Sequence, residues 1–419
     1  MHWLLPDDPA ARQRRDRTLL GLFLVAALLL VARAARKQDG VLVRNQEWGA
    51  RFVARQDPYA DPAGGPRLHG PYPPSYALVC APLSRLPEQP ARVAWALAQV
   101  GALAASYVLL RRWLARGWPT VAPHAPIAFA VGLVLAGRYL LRDTAGGGGN
   151  LLYATAVLWG LELVFAGRAV AGALLLALPL ALKPNFAPLL LVLPLRGRTS
   201  AGVLACAALL LCAAAPAVWF GSEPWVALWR RWLVDVLAYG SVVDLARADL
   251  VPDGFPVDVD GMNQSLRAAL GRVAPGTWGL WVARAGGLAA LAAAAWATLR
   301  GRNGRGAWFG ALAFLPAALL ASPITWKAHH AALLVPFALL AAEALERRRA
   351  RPLWAFLAAY WLSCGLLSEE LIGKAWKQAL QSASVVTWAT LALLVVSCVL
   401  ASRPAPPVRA DAGYPRDEP

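Results

Sequence analysis

DGVLVRNQEWGARFVARQDPYADPAGGPRLHGPYPPSY, residues 39–76, is too polar and too rich in proline to enter a membrane, yet it lies between two apolar spans. It also concentrates acidic side chains: Asp39, Glu47, Asp57 and Asp61. Loops of this length are uncommon inside an apolar chain and are usually functional. The stretch therefore predicts a long connection outside the bilayer, and the fold is read outward from it.

On either side the chain is dominated by uninterrupted apolar runs. At 419 residues and 58% hydrophobic, it reads as an all-α, polytopic membrane protein. Nineteen Trp against nine Tyr suit a protein with two membrane interfaces. A net charge of +17 raises the question of nucleic acid, but the arginines form short clusters between spans. That pattern fits loops facing anionic lipid rather than a groove tracking phosphates, so no nucleic-acid partner is expected. Cys80, Cys206, Cys212, Cys364 and Cys398 lie in or beside apolar segments without a CxxC pair, which argues for small buried hydrophobes and no metal knuckle.

Spans of sufficient apolar character fall near 18–36, 91–114, 125–142, 151–166, 169–182, 185–195, 200–220, 278–299, 306–321, 329–346, 352–367 and 384–402, about twelve transmembrane helices. The fifth and sixth are too short to cross straight, at 1.5 Å per residue. RQRRDR (12–17) precedes the first span, and Ala32-Arg33-Ala34 has the form of a cleavage site, but an uncleaved first helix is preferred. With the N-terminus cytoplasmic, RRWLARG (111–117), Arg168, RGR (196–198), RGRNGRG (300–306) and ERRRAR (346–351) all fall inside, as the positive-inside rule requires. The opposite set holds 39–90, 143–150, 183–185, 221–277, 322–328 and 368–383. Residues 1–402 are thus expected to form a single transmembrane domain with two large extracytoplasmic loops, 39–90 and 221–277. The tail 403–419, also cytoplasmic, reads as disordered. Val41–Arg55 is predicted as an interfacial helix with Leu42, Trp48, Phe52 and Val53 toward lipid. Ser75–Leu83 is predicted to dip back into the membrane, and Trp225, Trp229 and Trp232 mark a second interfacial helix. An acidic, flexible piece, 249–261, follows it.

The second set of loops gathers the reactive side chains: Asp39, Arg44, Glu47, Asp57, His69, Arg142, Asp143, Asn150, Lys183, Asn263, Gln264, Lys327, His329 and His330. Cations at helix mouths can stabilise charge on a leaving phosphate. A carboxylate can take the proton of an attacking hydroxyl. Lys183, in ALKPNF, stands at a break between two apolar segments, where an ionisable residue needs a partner or water; snorkelling is the rival account. His329 and His330 are adjacent, so a two-histidine metal site of the i, i+4 type is not available, and no metal is expected. Gly146–Gly149 before Asn150 reads either as a helix entry presenting amides to an anion or as a plain linker.

Taken in order, DPY (57–59), YPPSYALVCAPLSRLP (72–87), Trp95 with Gln99, the Gly/Asn span start (146–150), AGALLLALPLALKPNFAPLLL (171–191), NQSL (263–266) and SPITWKAHHAALLVP (322–336) resemble the polyprenol-phosphate-mannose-dependent α-mannosyltransferases. These form glycosyltransferase family eighty-seven of the GT-C superfamily. The resemblance implies a GT-C-type fold in a cell membrane, the bacterial inner membrane, with an extracytoplasmic active site. It implies transfer of a hexose, mannose, from a polyprenyl-phosphate donor to a lipid-linked or cell-envelope glycan, with no cofactor. It further implies a general base in the first loop, Asp39 with Glu47 as its alternative. The donor phosphate and sugar then fall to Arg44, Lys183, Asn150, Asn263, Gln264, His329 and His330. A transporter or flippase of a lipid-linked sugar, or a non-catalytic protein of the same fold, is the alternative; collection of the charges in loops on one side favours the enzyme.

Overall fold

The computed structural model describes residues 8–37, 41–59, 72–233, 261–301, 304–346, 350–367 and 369–403. Every regular element among them is helical. In chain order the first seven long helices are α1 (Pro9–Arg36), α2 (Val41–Val53), α3 (Ala77–Ser84), α4 (Glu88–Gly117), α5 (Ala125–Gly146), α6 (Asn150–Phe165) and α7 (Ala169–Leu182). Helical structure stands at all twelve predicted apolar stretches. Among the described residues, seven helices are long and apolar enough to cross a membrane, or eight if Leu371–Ser382 and Val385–Ala401, bent by 59°, form one span. Asn150–Phe165, Ala169–Leu182 and Pro184–Leu195 are shorter apolar helices.

Burial sorts these helices into a centre and a rim. Lys327–Glu346 is the centre, with 89% of its apolar window buried. Lipid is as apolar as leucine, so such helices associate through close packing of small residues. Gly132 on α5 shows how: a Cβ there would stand 3.0 Å from the Cβ of Ala338. At the rim, α1 has only 11% of its window buried and turns Leu22, Leu28 and Leu29 outward. It nevertheless belongs to the fold. Asp8 caps it by accepting from the amides of Ala10 and Ala11, and buried Arg15 donates to Pro123 O at 3.2 Å and meets His124 Nδ1 at 2.9 Å.

The helix predicted at Val41–Arg55 forms, but its apolar side does not face lipid. Leu42, Trp48 and Phe52 are buried in protein. The reason lies at Gly49, where any Cβ would collide with the carbonyl of Cys80, so α2 lies directly on α3. Pro74–Tyr76 and α3 are likewise held by protein, with the Ser75 hydroxyl donating to Ala181 O. The tryptophan helix at Ser222–Arg231 buries Trp225 against Phe52 and Phe220. Arg231 then pairs with Asp57, whose carboxylate also accepts from the Tyr59 amide and starts the turn its Asp-Pro sequence suggests. Both aromatic helices are therefore docked onto the bundle.

Among the described residues, polar contacts gather at two ends of the bundle. Helix α5, 22 residues and so roughly 33 Å long, separates the 118–124 connection from the Gly147–Gly149 turn. At the first end Arg116 bonds Glu162 at 2.6 Å, Arg305 bonds Glu346 and Gly117 O at 2.7 Å, and Arg196 bonds Gly301 O at 2.7 Å. At the other, Gln264, Thr325, Lys327 and Gln381 interlock, and Lys183 donates to Gly148 O.

Candidate active site

The second end is built around the turn from α5 into α6. Its sequence, Gly-Gly-Gly-Gly-Asn (146–150), is neither a slack linker nor a spacer. Gly147 and Gly149 take φ of 77° and 68°, which a side chain would strain. A Cβ at Gly147 would come within 2.8 Å of Leu42, and one at Gly149 within 2.6 Å of Trp95. The turn is packed between α2 and α4, and only glycine fits.

Two buried charges flank it. Asp143 is 1% exposed and accepts hydrogen bonds from Asn150 Nδ2 at 2.6 Å, Leu151 N at 3.1 Å and Gln99 Nε2 at 3.5 Å. A carboxylate at the start of α6 meets unpaired amides and the positive end of the helix dipole. Lys183 is also 1% exposed; proline at 184 ends α7 and leaves it extended, reaching back over the glycine turn. Its Nζ donates to Gly148 O at 3.2 Å and lies 5.1 Å from the Tyr72 ring centre and 6.0 Å from that of Tyr153. Burial draws its pKa down to about 8, while the charge of Asp143 works in the opposite direction.

Aromatic rings line the remaining side. Tyr72 stacks on Tyr76 at 4.2 Å, and Trp48 lies against Tyr59, Tyr72 and Tyr76. Asn45 donates to the Tyr76 hydroxyl. Around this box, Trp48 Nε1, Trp95 Nε1, Gln99 Oε1 and Asn150 Oδ1 are buried without a hydrogen-bond partner among the described residues. Buried polar atoms are nearly always satisfied, so a set of orphans in one place marks where a ligand's groups belong. Two donors and two acceptors beside aromatic faces suit a polyhydroxylated ring, and the adjacent ammonium suits an anion.

The sequence-predicted residues divide. Lys183 and Asn150 stand in this centre. His329 lies within electrostatic reach of Lys183, and its Nδ1 accepts from Trp326 N at 2.7 Å. His330 is fully buried behind, with Nδ1 against Trp326 O at 3.3 Å and Nε2 against the Thr390 hydroxyl at 3.1 Å. Asn263 and Gln264 are spent as a clamp. Asn263 accepts from Thr325 N and donates to Pro323 O, while Gln264 Nε2 donates to the carbonyls of Gly261 and Gln381. Arg44 and Glu47 are exposed on the outer side of α2. Asp39, His69, most of 249–261, and the tail beyond 403 lie outside the described residues. Among the described residues no group of three His, Cys, Asp or Glu is placed to hold a metal ion.

Asp143 is among the reactive loop residues, and Trp95 and Gln99 are part of the resemblance, but none of these, nor Trp48, is given a role in the predicted site. The available signal was Asp143 seven positions before Asn150, an acid at a span end bracketing a glycine run. Nothing in the linear chain indicates that Trp48 and Trp95 meet there.

The fold and this centre define a polytopic helical membrane protein with a buried, charged, aromatic-walled site at one end of its bundle. The chain belongs to glycosyltransferase family 87, whose family model matches residues 71–323, and is thus a membrane glycosyltransferase. Asp143, Asn150, Lys183, Asn263 and Gln264 fall within the matched region; Asp39, Arg44, Glu47, His329 and His330 fall outside it. No curated protein and no solved structure matches the chain significantly.

Proposed function

We propose that the protein transfers a hexose, mannose, from a polyprenyl-phosphate donor to a hydroxyl of a lipid-linked or cell-envelope glycan, at the extracytoplasmic face of a cell membrane. The observation carrying this reading is Lys183: a buried ammonium set among tyrosine rings and unpartnered polar atoms, as a sugar phosphate requires.

In this scheme Lys183 holds the donor phosphate, with His329 beside it. Asp143 is a positioning residue, because its oxygens already accept from Asn150, Leu151 and Gln99. Asp39 acts as general base. It lies two residues before Val41, so about 7 Å of chain at most separates it from the start of α2, whose Leu42 packs on Gly147. Glu47, exposed on α2, is the weaker candidate. As the acceptor oxygen bonds the anomeric carbon, the carbon–phosphate oxygen bond breaks and its electron pair leaves with the phosphate. The acceptor proton passes to the carboxylate. A single displacement inverts the anomeric centre, so a β-linked donor gives an α-linked product. Lys183 can meet the phosphate charge directly, and His329, whose Nδ1 accepts from Trp326 N, can donate to it through Nε2. Asn263 and Gln264 contribute at one remove, by fixing the loop that carries Trp326 and His329.

The test is transfer by the full chain in lipid nanodiscs, with polyprenyl-phosphate-[14C]mannose as donor and an extract of lipid-linked glycans as acceptor. Transfer is expected from the lipid donor and not from the nucleotide sugar. Asp39→Asn should lower kcat by about 100-fold or more, the usual range for losing a general base, with Glu47→Gln near wild type. Transfer from the nucleotide sugar alone, or full activity in Asp39→Asn, would overturn the donor or the base respectively.

A further inference from the structure

Outside the Lys183 centre, a cavity of about 120 Å³ opens at the same end of the bundle, lined by Arg142, Lys327, Lys374, Lys377, Gln378 and Gln381 together with Trp326 and Met262. Four basic side chains converge on it, and among the described residues no carboxylate lines it. Among the described residues, Glu369 meets the group from outside, pairing with Lys377 at 2.8 Å. Lys327 is 4% exposed and donates to the Gln381 side chain. Like charges gathered in a partly buried pocket repel one another unless an anion joins them. Arginine, lysines, side-chain amides and an indole are all suited to donate to phosphate oxygens.

The helix forming one wall points to how that phosphate arrives. Glu369–Ser382 is interrupted at Gly373, where φ is 77°, and the following span, Val385–Ala401, departs at 59°. Lys374, Lys377, Gln378 and Gln381 face the pocket, whereas Leu371 and Trp376 are 65% and 69% exposed. A helix with an apolar exposed side and a cationic inner side belongs in the interfacial plane, at headgroup depth. A group bound there can keep its hydrocarbon chain in the bilayer.

We propose that this pocket is a second phosphate site, taking a phosphate carried on a lipid and separate from the Lys183 centre. The two lie on neighbouring residues of the same elements: Arg142 precedes Asp143, and Lys327 is two residues before His329. Both partners of a transfer between lipid-linked molecules carry such a phosphate, so the arrangement would hold both reactants at one membrane surface. The inference rests on the pocket itself and stands whether or not Lys183 binds the donor.

The test counts lipids bound to the full chain by native mass spectrometry after titration with polyprenyl monophosphate, with phosphatidylglycerol or with inorganic phosphate. Wild type is expected to bind two polyprenyl monophosphates. Lys374→Gln/Lys377→Gln should lose one, with affinity at that site falling roughly thirty-fold for two removed lysines, and Lys183→Gln should lose the other. Both lysines sit on a surface helix, and an unchanged melting temperature confirms folding. Selective loss of polyprenyl phosphate assigns the pocket to an isoprenoid substrate; selective loss of phosphatidylglycerol assigns it to bilayer lipid; either supports the site. If the double variant binds every lipid as wild type does, or inorganic phosphate fills the pocket as well as any lipid, the proposal is wrong. A Lys183→Gln protein that still binds two would remove the Lys183 assignment and leave this one intact.

Discussion

Lys183 is held where its charge is useful and costly at once. Burial pulls its pKa to about 8 against an ordinary 10.5, so the free protein carries the ammonium below that pH and loses it above. The kcat/KM for the lipid donor should therefore be level up to about pH 8 and fall above it, read from initial rates in nanodiscs. The same shift has the opposite sign for stability. The folded form binds this proton less readily than the unfolded chain, so between about 8 and 10.5 this group adds stability as pH rises. A loss of rate in that range with an undiminished melting temperature would separate the titration from unfolding. Lys183→Gln removes the charge at every pH. A charge-assisted bond contributes about 1.5–3 kcal/mol, so donor KM should rise by roughly 10- to 100-fold. An unchanged KM would remove the lysine from the phosphate.

At the scale of elements, the α5–α6 turn governs the site. Gly147 joins α2 to it, Gly149 joins α4 to it, and Gly148 supplies the carbonyl that receives Lys183. Gly149→Ala adds a methyl group 2.6 Å from Trp95 at a left-handed φ of 68°. Such a residue costs roughly 1–2 kcal/mol from its backbone alone, before any overlap. A lowered melting temperature is expected, together with loss of activity out of proportion to it. Gly146→Ala is the control, since a Cβ there meets nothing within 4 Å and its turn neighbours remain glycine. Should Gly149→Ala match Gly146→Ala in both measurements, the turn would have no organising role.

Across the whole molecule, the central fact is the separation of two kinds of polar end. Arg116, Arg196 and Arg305 are tied to Glu162, Gly301, Glu346 and one another's loops at one end. Lys183, Asp143, Gln264, Lys327 and His329 collect at the other. A cysteine placed at Arg44 or Lys374 in a cysteine-free background should react with a membrane-impermeant maleimide from one side, and cysteines at Arg168 or Arg198 from the other. The proposed orientation makes the first pair reactive in intact cells. Labelling of Arg44→Cys and Lys374→Cys from different sides would break the single-surface arrangement on which transfer depends.

The order of apolar and polar segments was sufficient to specify an all-helical membrane protein and to sort its loops into two sets. The hydrophobic effect and the alternation of arginine clusters act along the chain and leave their mark in linear order. ALKPNF likewise announced Lys183, because an ionisable residue at a break between apolar segments is conspicuous. What α2 packs against was not legible: Leu42, Trp48 and Phe52 form an apolar stripe that would serve lipid or protein equally, and contact with Cys80 and Phe220 decided between them. The same holds for Asp143, His330, Asn263 and Gln264. Each is a polar side chain at a helix end in the sequence, and only its partners in space distinguish a group facing the site from one that fastens the fold. Which hydrogen bonds are made, and which are left open beside Lys183, depends on segments brought together from distant parts of the chain, so tertiary packing alone could settle it.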